Sequence, residues 1–396
     1  MKKRSVLFIN DSLSGGSGVF RSLAQTLQNI PYEKYDVTLF ILPGGETASL
    51  PEGSLPEEVR LIAGRDGSHY YRRPTVAATH ALSKVFSALK IKKAAAFFKK
   101  LSRGRVRALR SRYPAKAYFS DTVFDAAVAY TVPGCAPVLK HVKAHRKYAV
   151  FHSSQASFFP DETKDALRLF DGMIAVNEGV RQVLAETYPR FSDKIGVITN
   201  YVNAGDILKS ASAKPSPYNE DKPVVCSCGR LSREKGFDLA VGAAKILKDR
   251  GLDFIWYFVG DGEDREKIER LIRDNSLEDR IILTGYAEDP YGHIGGCDVY
   301  VQPSYEEAQP LALLEAAVLG RTVVSTETVG GKCILKGGSL GVLTPVSAAG
   351  LADGIEPLLR DAALREAKRF VYSPEDNMKD RATFAAAWDR LLSGQE

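Results

Sequence analysis

No stretch of the sequence reaches the roughly 18 consecutive apolar residues that a membrane-spanning helix needs. The opening MKKRSVLFIN runs straight into a strand pattern without a cleavage-site region, so the chain is expected to stay in the cytoplasm. Cysteine is scarce: Cys135, Cys226, Cys228, Cys297 and Cys333 make an odd count, which argues against a disulfide framework. Cys226 and Cys228 alternate along the apolar run VVCSCG and so point to opposite faces of a sheet, as buried thiols rather than a metal site. Acidic side chains are missing altogether from Gly67 to Ser120, where 14 Lys and Arg stand. Something anionic is expected near that block. Within it, KVFSALKIKKAAAFFKKLSRGRVRALR interleaves Phe86, Leu89, Phe97, Phe98 and Leu101 with lysines at near-helical spacing, as in helices that lie on a charged surface. A solvated helical face uses the same pattern. No nucleic-acid reader motif or aromatic platform accompanies the charge.

What is present is a chain of 396 residues, 44% hydrophobic, long enough to bury a sizeable core and to divide into two domains. Short apolar runs alternate with amphipathic stretches: RSVLFIN, YDVTLFIL, AAVAYTV, KYAVFH, GMIAVN and KIGVITN, then VVCSCG, FIWYFVG, RIILTG, VYVQPS and TVVSTE. Strands this apolar are covered on both faces, which predicts an α/β chain of parallel, doubly wound sheets. No tandem repeat is apparent. From residue 203 to residue 223 the text becomes NAGDILKSASAKPSPYNEDKP, and the domain boundary is placed there. The expected division is a first domain over 1–205, a linker over 206–222 and a second domain over 223–377.

Ligands of such sheets bind beyond the carboxyl ends of the strands. The loop NDSLSGGSGVFRSLAQTL after the first strand carries Gly15, Gly16 and Gly18, where a backbone can approach a phosphate or sugar, although a plain strand-to-helix turn uses the same residues. After VVCSC, the string GRLSREKGFDLAV sets Arg230 and Lys235 beside a helix start. A planar fork and a compact ammonium there suit a diphosphate, while either one alone reads equally as a surface residue. FVGDGE and ILTGY add Gly260, Gly262, Gly285 and Tyr286 at strand ends, where a base or ribose can come close. In EEAQPLALLEAAVLG, Pro310 and Gly320 bracket a predicted helix over 310–319, with Glu307 just before it and Glu315 inside its apolar run. Glu307 can serve as a dipole partner. Glu315 cannot be read so simply, because a buried acid needs a hydroxyl or a cation beside it.

In this order the motifs resemble a family 4 glycosyltransferase, with the GT-B fold of two Rossmann-like domains facing a cleft and with retention of anomeric configuration. GRLSREKGFDLAV, FVGDGE, ILTGY and PSYEEAQPLALLEAAVLGRTVVST resemble the family's donor-binding half. INDSLSGGSGVFRSLA, FHSS and VITNYVN resemble marks of its acceptor half. The resemblance implies that Arg230 and Lys235 hold the donor diphosphate, Glu315 accepts ribose hydroxyls and Glu307 lies by the donor sugar. It places His152 near the reaction centre, Gly16 and Gly260 against the donor, Gly285 and Tyr286 near the base, and Leu311 in the donor pocket. Without it, a lone histidine at a strand end is more often structural.

The implied reaction takes a sugar from a nucleotide donor, UDP-linked, to a glycan or lipid-linked acceptor in cell-surface polysaccharide synthesis. Front-face transfer is favoured over a Glu307 nucleophile, and the resemblance implies fixed cations with no cofactor or obligatory metal, consistent with the lack of an Asp-x-Asp pair at the strand ends. Ala308 and Gln309 stand where the family has glycine and an aromatic residue, and Gly18 stands where it often has an acid. The basic block over 72–116 would dock at an anionic membrane face, and a C-terminal helix over about 378–396 would cross back to the first domain. The alternatives are a sugar-nucleotide epimerase of similar architecture and a non-catalytic partner subunit.

Overall fold

A computed structural model describes residues 2–13, 18–43, 55–64, 115–153, 161–214, 216–219, 221–370 and 372–395. Among these residues the chain forms two sheets, of seven and six strands. The first runs β3 (Arg60–Ala63), β2 (Tyr35–Ile41), β1 (Arg4–Asn10), β4 (Val123–Ala129), β5 (Lys143–Phe151), β6 (Gly172–Ala175), β7 (Ile195–Val197). The second runs β10 (Ile281–Gly285), β9 (Ile255–Val259), β8 (Val224–Cys228), β11 (Val299–Gln302), β12 (Thr322–Thr326), β13 (Val342–Thr344). Neighbouring strands are parallel throughout, with Val6 opposite Val37 and Ala126, and Val225 opposite Trp256 and Val299. Each sheet is wound outward from its first strand in both directions. That leaves a switch point at β1/β4 in one domain and at β8/β11 in the other, where loops diverge and a crevice opens.

The apolar runs explain the layering, since Val6 to Ile9 of β1 and Val225 and Cys226 of β8 are completely buried and need cover on both faces. The segment read as a linker folds in part as the helix Ala204–Ala213. Asn203 starts it by accepting hydrogen bonds from the N–H groups of Gly205 (3.1 Å) and Asp206 (3.4 Å). Its Ile207 packs with Leu311 and Val318 of the second domain. The helix after Glu307 spans Leu311–Val318 with Pro310 as its N-cap residue, one position outside the expected start, and Gly320 takes φ +66° just past its end.

The last helix, Pro374–Ser393, opens with a Ser373/Asp376 capping box and returns to the first domain. There Phe384, Trp388 and Leu392 enter the core formed by β1, β2 and β4. Asp389 fixes the docking by accepting hydrogen bonds from Lys34 Nζ and Tyr35 Oη, each at 2.7 Å.

Candidate active site

The two switch points face one cleft of about 970 Å³. From the first domain it is lined by Arg21, His152 and Asn200. From the second come Arg230, Lys235, Gly260, Tyr286, Glu307, Leu311 and Glu315. Gly285, expected near the base, is not among the residues lining the cleft and is bridged to Gly260, which is. Gly16 and most of the basic block, residues 65–114, fall outside the described residues.

Lys235 ends a short turn over Arg233–Lys235 after β8, and the next residue, Gly236, adopts φ +65° against the Pro303 carbonyl. A Cβ would collide with that oxygen, so glycine is required to seat the turn on the end of β11. From this seat Lys235 Nζ donates to Glu307 Oε1 at 2.6 Å. The same oxygen accepts from Ser304 Oγ at 3.1 Å and Gln302 Nε2 at 3.2 Å. Three donors on one oxygen fix the direction of the carboxylate. Arg230 stands exposed on the loop between Gly229 and Leu231.

Glu315 is buried, 1% exposed, and its carboxylate is met by Arg21, which reaches across from the helix Gly18–Gln28 of the first domain to Oε1. Arg21 also donates to Tyr291 Oη at 2.5 Å and lies over that ring. Glu315 Oε2 is buried with no partner among the described residues. Burial pushes the Glu315 carboxyl above the ordinary carboxylate range, and Arg21 is the strongest influence holding it down. Burial likewise works against the Arg21 charge, but the Glu315 carboxylate, with a hydrogen bond to Tyr291, outweighs it, so the guanidinium stays protonated.

His152 follows β5 and packs on the Tyr130 ring, centroids 4.8 Å apart. The residue is partly exposed, yet its Nε2 is sealed from water with no partner, and burial lowers its pKa to about 3. It therefore meets the cleft as a neutral ring. Gly260, read as a place for ligand approach, has a second duty. With φ +147° and the Gly229 carbonyl where a Cβ would be, it holds β9 against the loop after β8. Tyr286 projects with 60% of its surface exposed.

Sequence reading missed Arg21, Tyr291 and the work of Gln309. Gln309 Oε1 accepts from the Asn200 N–H and its Nε2 donates to the Asn200 carbonyl, both at 3.1 Å, while Asn177 Nδ2 donates to the Ala308 carbonyl. The loop carrying Glu307 is thereby fastened to the first domain. The sequence signal for Arg21 was its place just after the glycine loop, one turn into a helix that opens at the end of β1. Among the described residues no cluster of three or more His, Cys, Asp or Glu is placed to hold a metal ion, and no helix is long and apolar enough to cross a membrane.

Comparison with known proteins bears on the two domains differently. Residues 209–372 match the family described as glycosyl transferases group 1. The lipopolysaccharide core biosynthesis glycosyltransferase LpsE of Rhizobium meliloti is 32% identical over 174 residues, 43% of this chain and 49% of the relative. The α-D-kanosaminyltransferase of Streptomyces kanamyceticus is 32% identical over 150 residues, 37% of this chain and 39% of the relative. The chain thus spans half or less of the length of these two relatives. Over its whole length it resembles solved structures. Anabaena HepE in complex with UDP and glucose superposes with a TM-score of 0.68 at 18% identity, covering 98% of this chain and 99% of that one. S. aureus TarM, in a complex that holds UDP, gives a TM-score of 0.66 at 14% identity, covering 98% and 99%. Both domains therefore share the GT-B fold of these solved structures, and the match to a named family is carried by residues 209–372.

Proposed function

We propose that this protein is a retaining glycosyltransferase that moves a sugar from a UDP-linked donor to a glycan or lipid-linked acceptor in the synthesis of a cell-surface polysaccharide. One observation carries the reading. Arg230, the Lys235–Glu307 pair and Glu315 all open on a single cleft between two switch points. The donor class is supported by the UDP held in the HepE and TarM structures, and the pathway class by the name of LpsE.

In this reading the diphosphate lies between Arg230 and Lys235, whose fixed charge stabilises the oxygen on which negative charge grows as the sugar departs. Glu307 takes a sugar hydroxyl, Glu315 a ribose hydroxyl, and the neutral His152 ring offers a hydrogen bond without adding charge. Glu307 is already engaged by three donors, which suits a carboxylate that orients sugar better than one that attacks it. Front-face transfer is accordingly preferred to a covalent intermediate. Two fixed cations meet the diphosphate charge, so EDTA should leave turnover within about twofold of its untreated value, a difference below 1 kcal/mol.

A panel of nucleotide sugars read by thermal shift, then by product formation with glycan and lipid-linked acceptors, tests the reading. Stabilisation by a UDP-sugar and a glycosylated product with retained configuration are expected. A protein that no nucleotide sugar stabilises, and that forms no product, would overturn it. We also propose that the basic block over 72–116 docks at the inner membrane face, and loss of sedimentation with anionic vesicles as salt rises is the expected signature.

A further inference from the structure

We propose that Arg21 is a positioning residue of the nucleotide site: it occupies Glu315 Oε1 from the opposite domain and so keeps that carboxylate ionised, with Oε2 left to accept one ligand hydroxyl. The inference rests on the reading of Glu315 as the ribose contact. Three observations carry it. Arg21 and Glu315 are joined across the cleft by an ion pair between side chains 294 residues apart, Glu315 is 1% exposed, and Oε2 is buried with no partner.

A ribose hydroxyl is neutral. If it displaced the guanidinium it would leave a carboxylate buried without a counter-charge, which is far costlier than leaving Arg21 in place and using the second oxygen. No other cation stands in reserve among the described residues that act on Glu315. Tyr291, Cys228 and Tyr300 on β11 are kept neutral by burial, so Tyr291 adds a hydrogen bond to Glu315 but no counter-charge. Asp289 is negative and opposes ionisation of Glu315, while itself held by Ser210 and Lys214. Without Arg21, burial carries Glu315 to its protonated form, which presents a donor where the hydroxyl needs an acceptor. The binding-competent form is the deprotonated one, so affinity in a variant lacking Arg21 must rise with pH.

Calorimetric titration of UDP from about pH 6 to about pH 9 tests the proposal, each variant being compared with the wild type at the same pH so that the titration of UDP itself cancels. The ratio for Arg21→Met should fall about tenfold per unit of pH below the variant's Glu315 pKa and recover above it. Arg21→Lys should restore a flat ratio, and the double variant Arg21→Met/Glu315→Gln should be weak at every pH. A loss in Arg21→Met that ignores pH, or no loss at all, overturns the role of Arg21 while leaving the donor site standing. Glu315→Gln binding UDP as the wild type does, or a wild type that binds no UDP, removes the nucleotide reading of Glu315 and the proposal with it.

Discussion

Glu307 illustrates how much one side chain is asked to do. Its carboxylate takes a proton donor from each of Lys235, Ser304 and Gln302, and the donor sugar would add another. Glu307→Gln keeps the size and one oxygen for the three donors, but it removes the charge beside Lys235 and puts an NH2 donor where the second carboxylate oxygen stood. Lys235→Ala removes the charge for the leaving diphosphate and leaves Glu307 without its ammonium. Each is expected to lower kcat at least about a hundredfold, the scale of losing one transition-state contact, with an unchanged far-ultraviolet spectrum. Near-normal turnover from either would count against the site. His152 makes a prediction about stability. Its pKa is about 3 in the folded state against an ordinary 6.5, so below 6.5 the unfolded chain takes a proton that the folded one refuses. The stability present above pH 6.5 is lost as pH falls toward 3. His152→Gln should flatten the dependence of melting temperature on pH in that window, and a slope equal to that of the wild type would show that Nε2 is not sealed.

At the scale of elements, the loop Glu307–Gln309 is fastened at each residue: Gly330 N–H donates to the Glu307 carbonyl at 2.8 Å, Asn177 to the Ala308 carbonyl, and Gln309 to and from Asn200. Gln309→Ala removes both amide contacts and should lower stability by about 1–3 kcal/mol, from two bonds worth 0.5–1.5 each, as a shift of the urea midpoint. Gln309→Glu sets a carboxylate against the Asn200 carbonyl and should be no better than alanine at neutral pH. This is also where reading the sequence reached its limit. All eleven apolar runs named from the sequence are strands, because burial on both faces writes itself as uninterrupted hydrophobicity. The two strands missed, β3 and β13, lie at sheet edges, where RLIA is mostly exposed and VLT is only three residues long. Arg230, Lys235, Glu307 and Glu315 were legible since they sit in continuous motifs of the second domain. The roles of Arg21 and Gln309 were not, since each acts through a partner on the other domain, and sequence spacing says nothing about a cleft closed by the fold.

The whole molecule holds the cleft from behind. Trp388, on the helix that crosses back to the first domain, lies 5.7 Å from the Phe8 ring and stacks on Tyr130 at 6.2 Å, and Tyr130 in turn supports His152. The Tyr130 hydroxyl is shared with Ser22 and Thr26, each at 2.8 Å, and Ser22 donates to Asn200 Oδ1 at 2.6 Å, beside the Gln309 contact. A side chain at the far end of the chain is therefore one layer away from the residues that position the site. Trp388→Ala opens a cavity in this core and should cost about 3–5 kcal/mol. Trp388→Phe should cost much less, because the indole Nε1 is buried without a partner and its removal relieves an unsatisfied donor. If the stack transmits position as well as stability, turnover measured well below each variant's melting temperature should fall in Trp388→Ala and largely return in Trp388→Phe. Equal turnover in all three proteins would confine the last helix to holding the first domain together.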